Sequence, residues 1–335
     1  MSRPSSRYVV IDIGGTKIAA GIAHVDDTGH VAITHRTQRA TPATDGGAAV
    51  LDAVTTAACD VAAAARVDGV TPHGVGVASA GVVSPTSGDI TYASDLMPGW
   101  GGTRLREGLA RKLGLPVAVL NDVHAHALGE SRVGAGRDVT RFLLLAAGTG
   151  LGGALVTAHG IDTGHLGVAG SLAHLIHPLA AGMTCACGAT TGHIECVVSG
   201  TGQAALYNRN LPQGTSPATG GGDVFTRYRT GDPHARDTLL ASGRALGQTL
   251  ASAAALLDPE KIVLTGSATR CGEEWWQVVR EAFRADALPL HRNLAIAEGL
   301  LAGDAPLTGA AIAAHTACTR DITKEKTPTP SKDNT

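Results

Sequence analysis

The chain is poor in aromatic side chains and in charge: 3% of its 335 residues are Phe, Trp or Tyr, and 17% are Asp, Glu, Lys or Arg. Its core therefore has to be built from Ala, Val, Leu and Ile around many tight turns. A basic surplus is missing as well, because 27 Lys and Arg stand against 29 Asp and Glu, a formal net charge of -2. Holding a nucleic-acid backbone requires concentrated positive charge, so no nucleic-acid partner is expected. Uninterrupted apolar runs are lacking too. Residues 142–158 carry no charge, but Gly148, Gly150, Gly152 and Gly153 break the run, and Asp12 stops the apolar stretch near the N-terminus. Neither a lipid-spanning helix nor a signal peptide is expected, which predicts a cytoplasmic protein with no membrane partner. Cysteines number six, and three fall between Cys185 and Cys196. In a reducing compartment such a cluster reads as metal ligation in place of a disulfide framework.

What the chain does have is glycine, 44 residues of it, and 44% hydrophobic residues. That composition places it among globular proteins, and its length suggests two lobes. Residues 8–13, 18–24 and 31–36 read as three consecutive strands, followed by a helix at 47–66 and a buried strand at 73–80. A helix near 103–113 then leads to a strand at 117–120, which delivers Asn121-Asp122 at its carboxyl end. A second strand–turn–strand, at 141–147 and 153–157, repeats the opening of the first half and suggests an internal duplication. Residues 211–222 are rich in Gly, Pro, Ser and Thr and predict a mobile loop. A helix at 234–257, a strand at 261–265 and a terminal helix at 305–317 follow. Trp275-Trp276 reads as core or dimer packing, and most of His24, His30, His35, His234 and His291 as solvated.

Two turns carry the polar groups of interest. Asp12-Ile13-Gly14-Gly15-Thr16-Lys17 closes a strand with an acid, two glycines, a hydroxyl and an ammonium. Such a turn is either a plain Gly-Gly hairpin or a cradle whose backbone N–H groups approach a phosphate while the acid holds a metal ion. Gly148-Thr149-Gly150-Leu151-Gly152-Gly153 offers a second cradle. Asn121-Asp122 reads either as a helix cap or as a general base with a hydrogen-bonding neighbour. His174, Cys185, Cys187 and His193 supply two imidazoles and two thiolates, a donor set for closed, structural Zn²⁺, with Cys196 as a rival fourth ligand.

These segments, in this order from about Val9 to Ala313, resemble the ROK (repressor/ORF/kinase) group of sugar kinases. The phosphate motif resembles Asp12–Lys17, the catalytic segment Asn121-Asp122 with Ala127-Leu128-Gly129-Glu130, and the second phosphate loop Gly148–Gly153. Ala169-Gly170-Ser171-Leu172-Ala173-His174 resembles the sugar segment, and Cys185-Ala186-Cys187-Gly188 with Gly192-His193-Ile194-Glu195 the zinc loop. The resemblance implies an α/β, two-lobed actin-like ATPase (ribonuclease H-like) fold with a duplicated core and a zinc-stabilised loop, usually as a homodimer. It divides the chain into a small lobe (1–121, completed by a helix at about 305–320) and a large lobe (122–304); the polar tail, 321–335, carries no apolar anchor and is expected to be disordered. It further implies ATP, Mg²⁺ and structural Zn²⁺ as cofactors and a sugar as substrate. Asp122 is then the base, and Asn121, Ser171, His174, Glu195 and Gly81 are sugar contacts. Asp12, Gly14, Gly15, Thr16, Lys17, Gly148, Thr149, Gly150, Gly152 and Gly266 bind nucleotide, with Asp12 on Mg²⁺ through water.

One departure bears on substrate. Ser171 stands where the kinases it resembles usually carry Glu, and Ala173 replaces a usual Gly. The resemblance implies phosphorylation of the 6-hydroxyl of a hexose, and loss of a carboxylate from the sugar segment predicts a modified hexose such as glucosamine, kanosamine or an N-acetylhexosamine, with plain glucose as the alternative. The group also includes repressors with a helix-turn-helix ahead of the first motif, and the few residues before Asp12 leave no room for one. A sugar-sensing protein without catalysis is the remaining alternative.

Overall fold

The computed structural model describes residues 6–325 apart from positions 210 and 212. In chain order its main elements are β1 (Ser6–Ile13), β2 (Lys17–Val25), β3 (Val31–Ala40), α1 (Gly47–Val67), β4 (Gly74–Ser79), β5 (Val82–Val83), β6 (Ile90–Tyr92), α2 (Leu105–Leu113), β7 (Val117–Asn121) and α3 (Asp122–Val133). There follow β8 (Phe142–Ala147), β9 (Leu151–Thr157), β10 (Gly160–Asp162), α4 (Glu195–Val198), α5 (Gly200–Arg209), α6 (Gly221–Arg229), α7 (Pro233–Leu257), β11 (Lys261–Thr265), α8 (Glu273–Asp286), β12 (Ala295–Glu298) and α9 (Ala305–Glu325). Two compact units result. The first runs to Val133 and regains the chain from Asp304; the second is Gly134–Gly303.

The first unit holds a five-stranded sheet in the order β3-β2-β1-β4-β7. Strands β1 to β3 form an antiparallel meander, and β4 and β7 add in parallel to β1. Strand β1 is apolar on both faces, as a covered central strand must be. Val9, Ile11 and Ile13 pack with Val50, Val54 and Ala58 of α1 and with Trp100, while Tyr8 and Val10 face Leu307, Ala310 and Ala311 of α9. Helix α1 is the one described helix long and apolar enough to cross a bilayer, yet Val50, Val54, Ala57, Ala58, Val61, Ala62 and Ala65 are buried in this core.

The second unit repeats the plan, with the order β10-β9-β8-β11-β12, an antiparallel meander followed by two parallel strands. Both sheets therefore have the strand order 3-2-1-4-5 within their own unit, the duplication suggested by the paired strand–turn–strand openings. Asp232 caps α7 by accepting from His234 N (2.9 Å) and Ala235 N (3.2 Å), with Pro233 in the first turn, and Asp258 ends the helix in the left-handed region. Trp275 and Trp276 of α8 are core residues, 1% and 6% exposed.

Several expectations need correction. The division expected after Asn121 falls after Val133, because α3 packs on α9 closely enough that a Cβ on Gly309 would lie 1.7 Å from Ala125 O. Residues 321–325, expected to be unstructured, belong to α9, which continues to Glu325; the rest of that stretch, 326–335, lies outside the described residues. The Gly- and Pro-rich stretch expected to be mobile is fastened at two points, where Asn208 Nδ2 donates to Ala218 O (2.9 Å) and Arg227 Nη1 to Ser216 O (2.7 Å). Residue 212 of that stretch lies outside the described residues. His234 and His291 are bonded to Tyr207 O (2.9 Å) and Asp258 Oδ1 (2.8 Å) instead of being solvated.

The contact of α9 with α3 yields a test. In an isolated helix Gly→Ala stabilises by about 1 kcal/mol. Gly309→Ala should instead destabilise by ~1–3 kcal/mol, read as a lower denaturant midpoint at unchanged slope, because the added methyl drives the helices apart.

Candidate functional site

Strands β1, β4 and β7 run parallel, so their carboxyl ends lie along one edge of the first sheet. The register pairs Asp12 with Ala78, Ile13 with Ser79, and Ser79 with Asn121. Asp12, the turn after Ser79, and Asn121-Asp122 therefore meet at that edge, where open parallel sheets bind ligands. Asn121 does most of the positioning. Its Oδ1 accepts from Val123 N (3.0 Å) and His124 N (3.3 Å), capping α3, while Nδ2 donates to Gly81 O and to Asp122 Oδ1, both at 2.9 Å. Asp122 Oδ1 also accepts from Val123 N at 3.0 Å, and its Oδ2 accepts no hydrogen bond among the described residues. The β4 turn is braced from behind by the fully buried Trp100, whose Nε1 donates to Ser79 Oγ (3.3 Å) and Ala80 O (3.2 Å).

Burial pushes the Asp12 carboxyl up to about 7, with the Asp122 carboxylate adding to the rise and Lys17 opposing it. Asp122 is pushed up to about 6, again by burial, although the Val123 N–H and the Asn121 amide pull it down. Both acids bind protons more tightly folded than unfolded. They therefore cost stability at neutral pH, and that cost is relieved as pH falls through about 7 and about 6. Two desolvated carboxyls in electrostatic contact are also a natural place for a cation.

The Gly14–Lys17 turn beside Asp12 is closed by Gly14 N donating to Lys17 O (2.9 Å) and held by Thr41, whose Oγ1 donates to Gly14 O (2.7 Å) and whose N–H donates to Thr16 O (3.1 Å). Thr16 and Lys17 are exposed. Neither Gly14 nor Gly15 has a positive φ, and a Cβ there would meet its nearest atom only at 3.4 and 3.8 Å. Folding does not require glycine at either position; the bare backbone leaves room for a ligand to approach, as a phosphate cradle demands.

In the second unit the Gly148-Thr149-Gly150 turn has the same character at Gly148, where a Cβ would have no described atom within 4 Å. The start of α5 holds this turn, Gly200 N donating to Gly148 O (2.8 Å) and Thr201 N to Thr149 O (3.2 Å). Gly266 differs: its φ is +97° and a Cβ would lie 2.3 Å from Ala147 O, so the fold itself requires glycine there. Glu195, the first residue of α4, accepts from Leu151 N through Oε1 (3.1 Å) and lies 3.1 Å from Cys185 Sγ through Oε2. Donor atoms of His174, Cys185, Cys187 and His193 all fall within 4.8 Å of one another, and Cys196 lies outside the group. His174 Nδ1 is 3.3 Å from His193 Nδ1 and 3.8 Å from Cys185 Sγ, and Cys187 Sγ is 3.4 Å from His193 Nδ1. Tetrahedral Zn²⁺ with Zn–N near 2.0 Å and Zn–S near 2.3 Å has ligand–ligand edges of about 3.3–3.8 Å, so these three edges and the donor types suit that ion. Burial, with the Glu195 carboxylate adding to it, raises the Cys185 thiol, a penalty that a cation would offset.

A match to the ROK family spans residues 8–317. The chain belongs to the ROK family. It is 32% identical over 287 residues to a glucokinase of Streptomyces coelicolor, covering 82% of this chain and 86% of that one. It is 31% identical over 316 residues to an N-acetylmannosamine kinase of Escherichia coli, covering 92% and 98%. The crystal structure of a ROK family glucokinase from Streptomyces griseus in complex with glucose and AMPPNP superposes with a TM-score of 0.76 at 29% identity, covering 93% of this chain and 100% of that chain.

Within this ROK fold the first unit brings Asp12, Gly14, Gly15, Gly81, Asn121 and Asp122 to one sheet edge. Ser171 is exposed and turned onto its own loop, its Oγ donating to Val168 O at 2.7 Å. Trp100 and Ser79 escaped the sequence reading, since a lone Trp in a Pro-Gly-Trp turn carries no periodic signal. Ser79 stands at a strand end just as Asn121 does, and that position was the available cue.

The mutual influence of the two acids is measurable. In Asp122→Asn, the Asp12 carboxyl should titrate below its value of about 7, read by carboxyl ¹³C shifts, because the added rise from Asp122 is gone while burial remains. An unchanged Asp12 titration would mean the two groups do not interact.

Proposed function

We propose that this ROK protein transfers the γ-phosphoryl group of ATP to the 6-hydroxyl of a hexose, with Asp122 as general base. The observation that carries the reading is a partly desolvated carboxylate at the ends of parallel strands, fixed through Oδ1 while Oδ2 accepts no hydrogen bond among the described residues. Asp122 takes the hydroxyl proton while the sugar oxygen bonds to the γ-phosphorus and the bond to the β–γ bridging oxygen breaks, releasing ADP. A raised carboxyl remains mostly ionised above about 6 yet is a stronger base than an exposed Asp. The bare backbones at Gly14, Gly15 and Gly148 suit the phosphates. Mg²⁺, when bound, neutralises charge building on the β- and γ-phosphates, and Asp12 would hold it through water.

His174, Cys185, Cys187 and His193 would hold structural Zn²⁺, fixing the loop that leads into Glu195. The small, neutral Ser171, bonded back to its own loop, leaves space where a carboxylate would otherwise contact sugar hydroxyls. That space supports a modified hexose, an amino- or N-acetylamino-sugar, as preferred substrate. Relatives acting on glucose and on N-acetylmannosamine bracket this choice.

Coupled ATP turnover against glucose, glucosamine, 3-amino-3-deoxyglucose, N-acetylglucosamine and N-acetylmannosamine tests both levels. Turnover should depend on sugar and fall by about 10²–10⁴-fold in Asp122→Asn. The highest kcat/KM on glucose would refute the modified-sugar preference, and binding of a sugar without turnover would replace the kinase by a sensor. Metal analysis of protein purified without chelator should find about one equivalent of zinc, lost in His193→Ala together with thermal stability. Less than about a tenth of an equivalent in the unaltered protein would sink the zinc assignment.

A further inference from the structure

The second unit carries a pocket that the proposed reaction does not use. It lies where the carboxyl end of α8 meets the amino end of β12, has a volume of about 250 Å³, and is lined by Arg280, Arg284 and Arg292 with Asn293, Phe283 and Ile296. Strand β12 runs parallel to β11, and β11 to β8. The amino end of β12 therefore marks the sheet edge opposite to the one that bears Gly266 and the Gly148 turn, roughly 15 Å away along the strands.

The charge at this pocket calls for an explanation. Arg280 and Arg284 are one turn apart on the same face of α8, a spacing at which like charges repel. Arg284 lies in the last turn, where the helix dipole favours a cation, but that accounts for one guanidinium of the three. Arg280 is held in place by Glu273 Oε1 at 3.2 Å and by the Trp276 ring, whose centroid is 4.9 Å from its guanidinium carbon. The exposed side chains of Arg284 and Arg292 make no ion pair or hydrogen bond with any described residue. Two guanidinium forks without an acid, a third fixed beside them, and an amide at Asn293 line one small concavity.

Guanidinium forks match the oxygens of a phosphate bidentately, and drug-sized ligands need ~300–1,000 Å³, more than this pocket offers. We propose that it is a second ligand site, for a phosphate dianion held by Arg284 and Arg292, either free or as the terminal group of a small phosphate ester. Phe283 and Ile296 provide an apolar wall for an attached carbon skeleton. The inference is independent of the phosphoryl-transfer reading, because it concerns binding at a different sheet edge.

The test is a titration of the full chain, followed by the arginine Nε–Hε NMR resonances, with inorganic phosphate, hexose 6-phosphate and short polyphosphate at ionic strength fixed by chloride. Arg284 and Arg292 resonances should shift saturably, and Arg284→Gln or Arg292→Gln should each weaken that binding about tenfold. Tighter binding of the ester than of inorganic phosphate identifies an esterified ligand, and equal binding identifies free phosphate; either supports the site. Shifts that chloride reproduces, or saturation only with a duplex oligonucleotide or acidic vesicles, would overturn it. Should the Gln variants fail to fold, the charge-preserving pair Arg284→Lys/Arg292→Lys reads the same question: weakened binding supports recognition by the forks, and unchanged binding overturns it.

Discussion

The amide of Asn121 joins three pieces of the first unit: its carbonyl caps α3, and its two N–H groups hold Gly81 O after β4 and Oδ1 of Asp122. Each bond alone contributes about 1 kcal/mol, but together they fix one carboxylate oxygen and leave the other without a hydrogen-bond donor among the described residues. Trp100 closes the arrangement from behind through Ser79 and Ala80, so the turn that Asn121 grips is itself held by a buried indole. The placement of the Asp122 carboxylate therefore rests on a helix cap, and the proposed base and the cap of α3 are parts of one arrangement.

Glu195 has a comparable position in the second unit. One carboxylate oxygen takes Leu151 N at the glycine turn and the other lies against Cys185 of the Cys/His group. A change at the metal-type cluster would reach the turn through a single side chain. Close approach of backbone is the recurring means in both units: α9 reaches α3 at Gly309, and the turn after β11 reaches Ala147 at Gly266. A core so poor in aromatics fits such contacts, because small side chains let elements sit near one another.

Much of this was legible in the sequence. Apolar runs bounded by glycine turns located the strands from β1 to β4 and from β7 to β9, and Pro233 and Asp258 bracket α7 as cap chemistry requires. Asp12, Asn121 and Asp122 were found because polar residues at the ends of apolar strands are conspicuous, and the Cys/His set because its spacing is uncommon. What stayed hidden depends on tertiary contact. Helix α3 joins the first unit through its packing on α9, which local pattern does not encode, and α9 runs past the point where its apolar residues thin out. The raised carboxyls at Asp12 and Asp122 depend on burial, and the arginine pocket depends on α8 and β12 being neighbours.

The central claim is that Asp122 must be ionised to accept the sugar proton, and the dependence of kcat/KM on pH tests it most directly. The account predicts an acid limb of unit slope with an apparent pKa near about 6, absent from the residual activity of Asp122→Asn. A profile that stays flat well below that value, or an acid limb that survives the substitution unchanged, would contradict it.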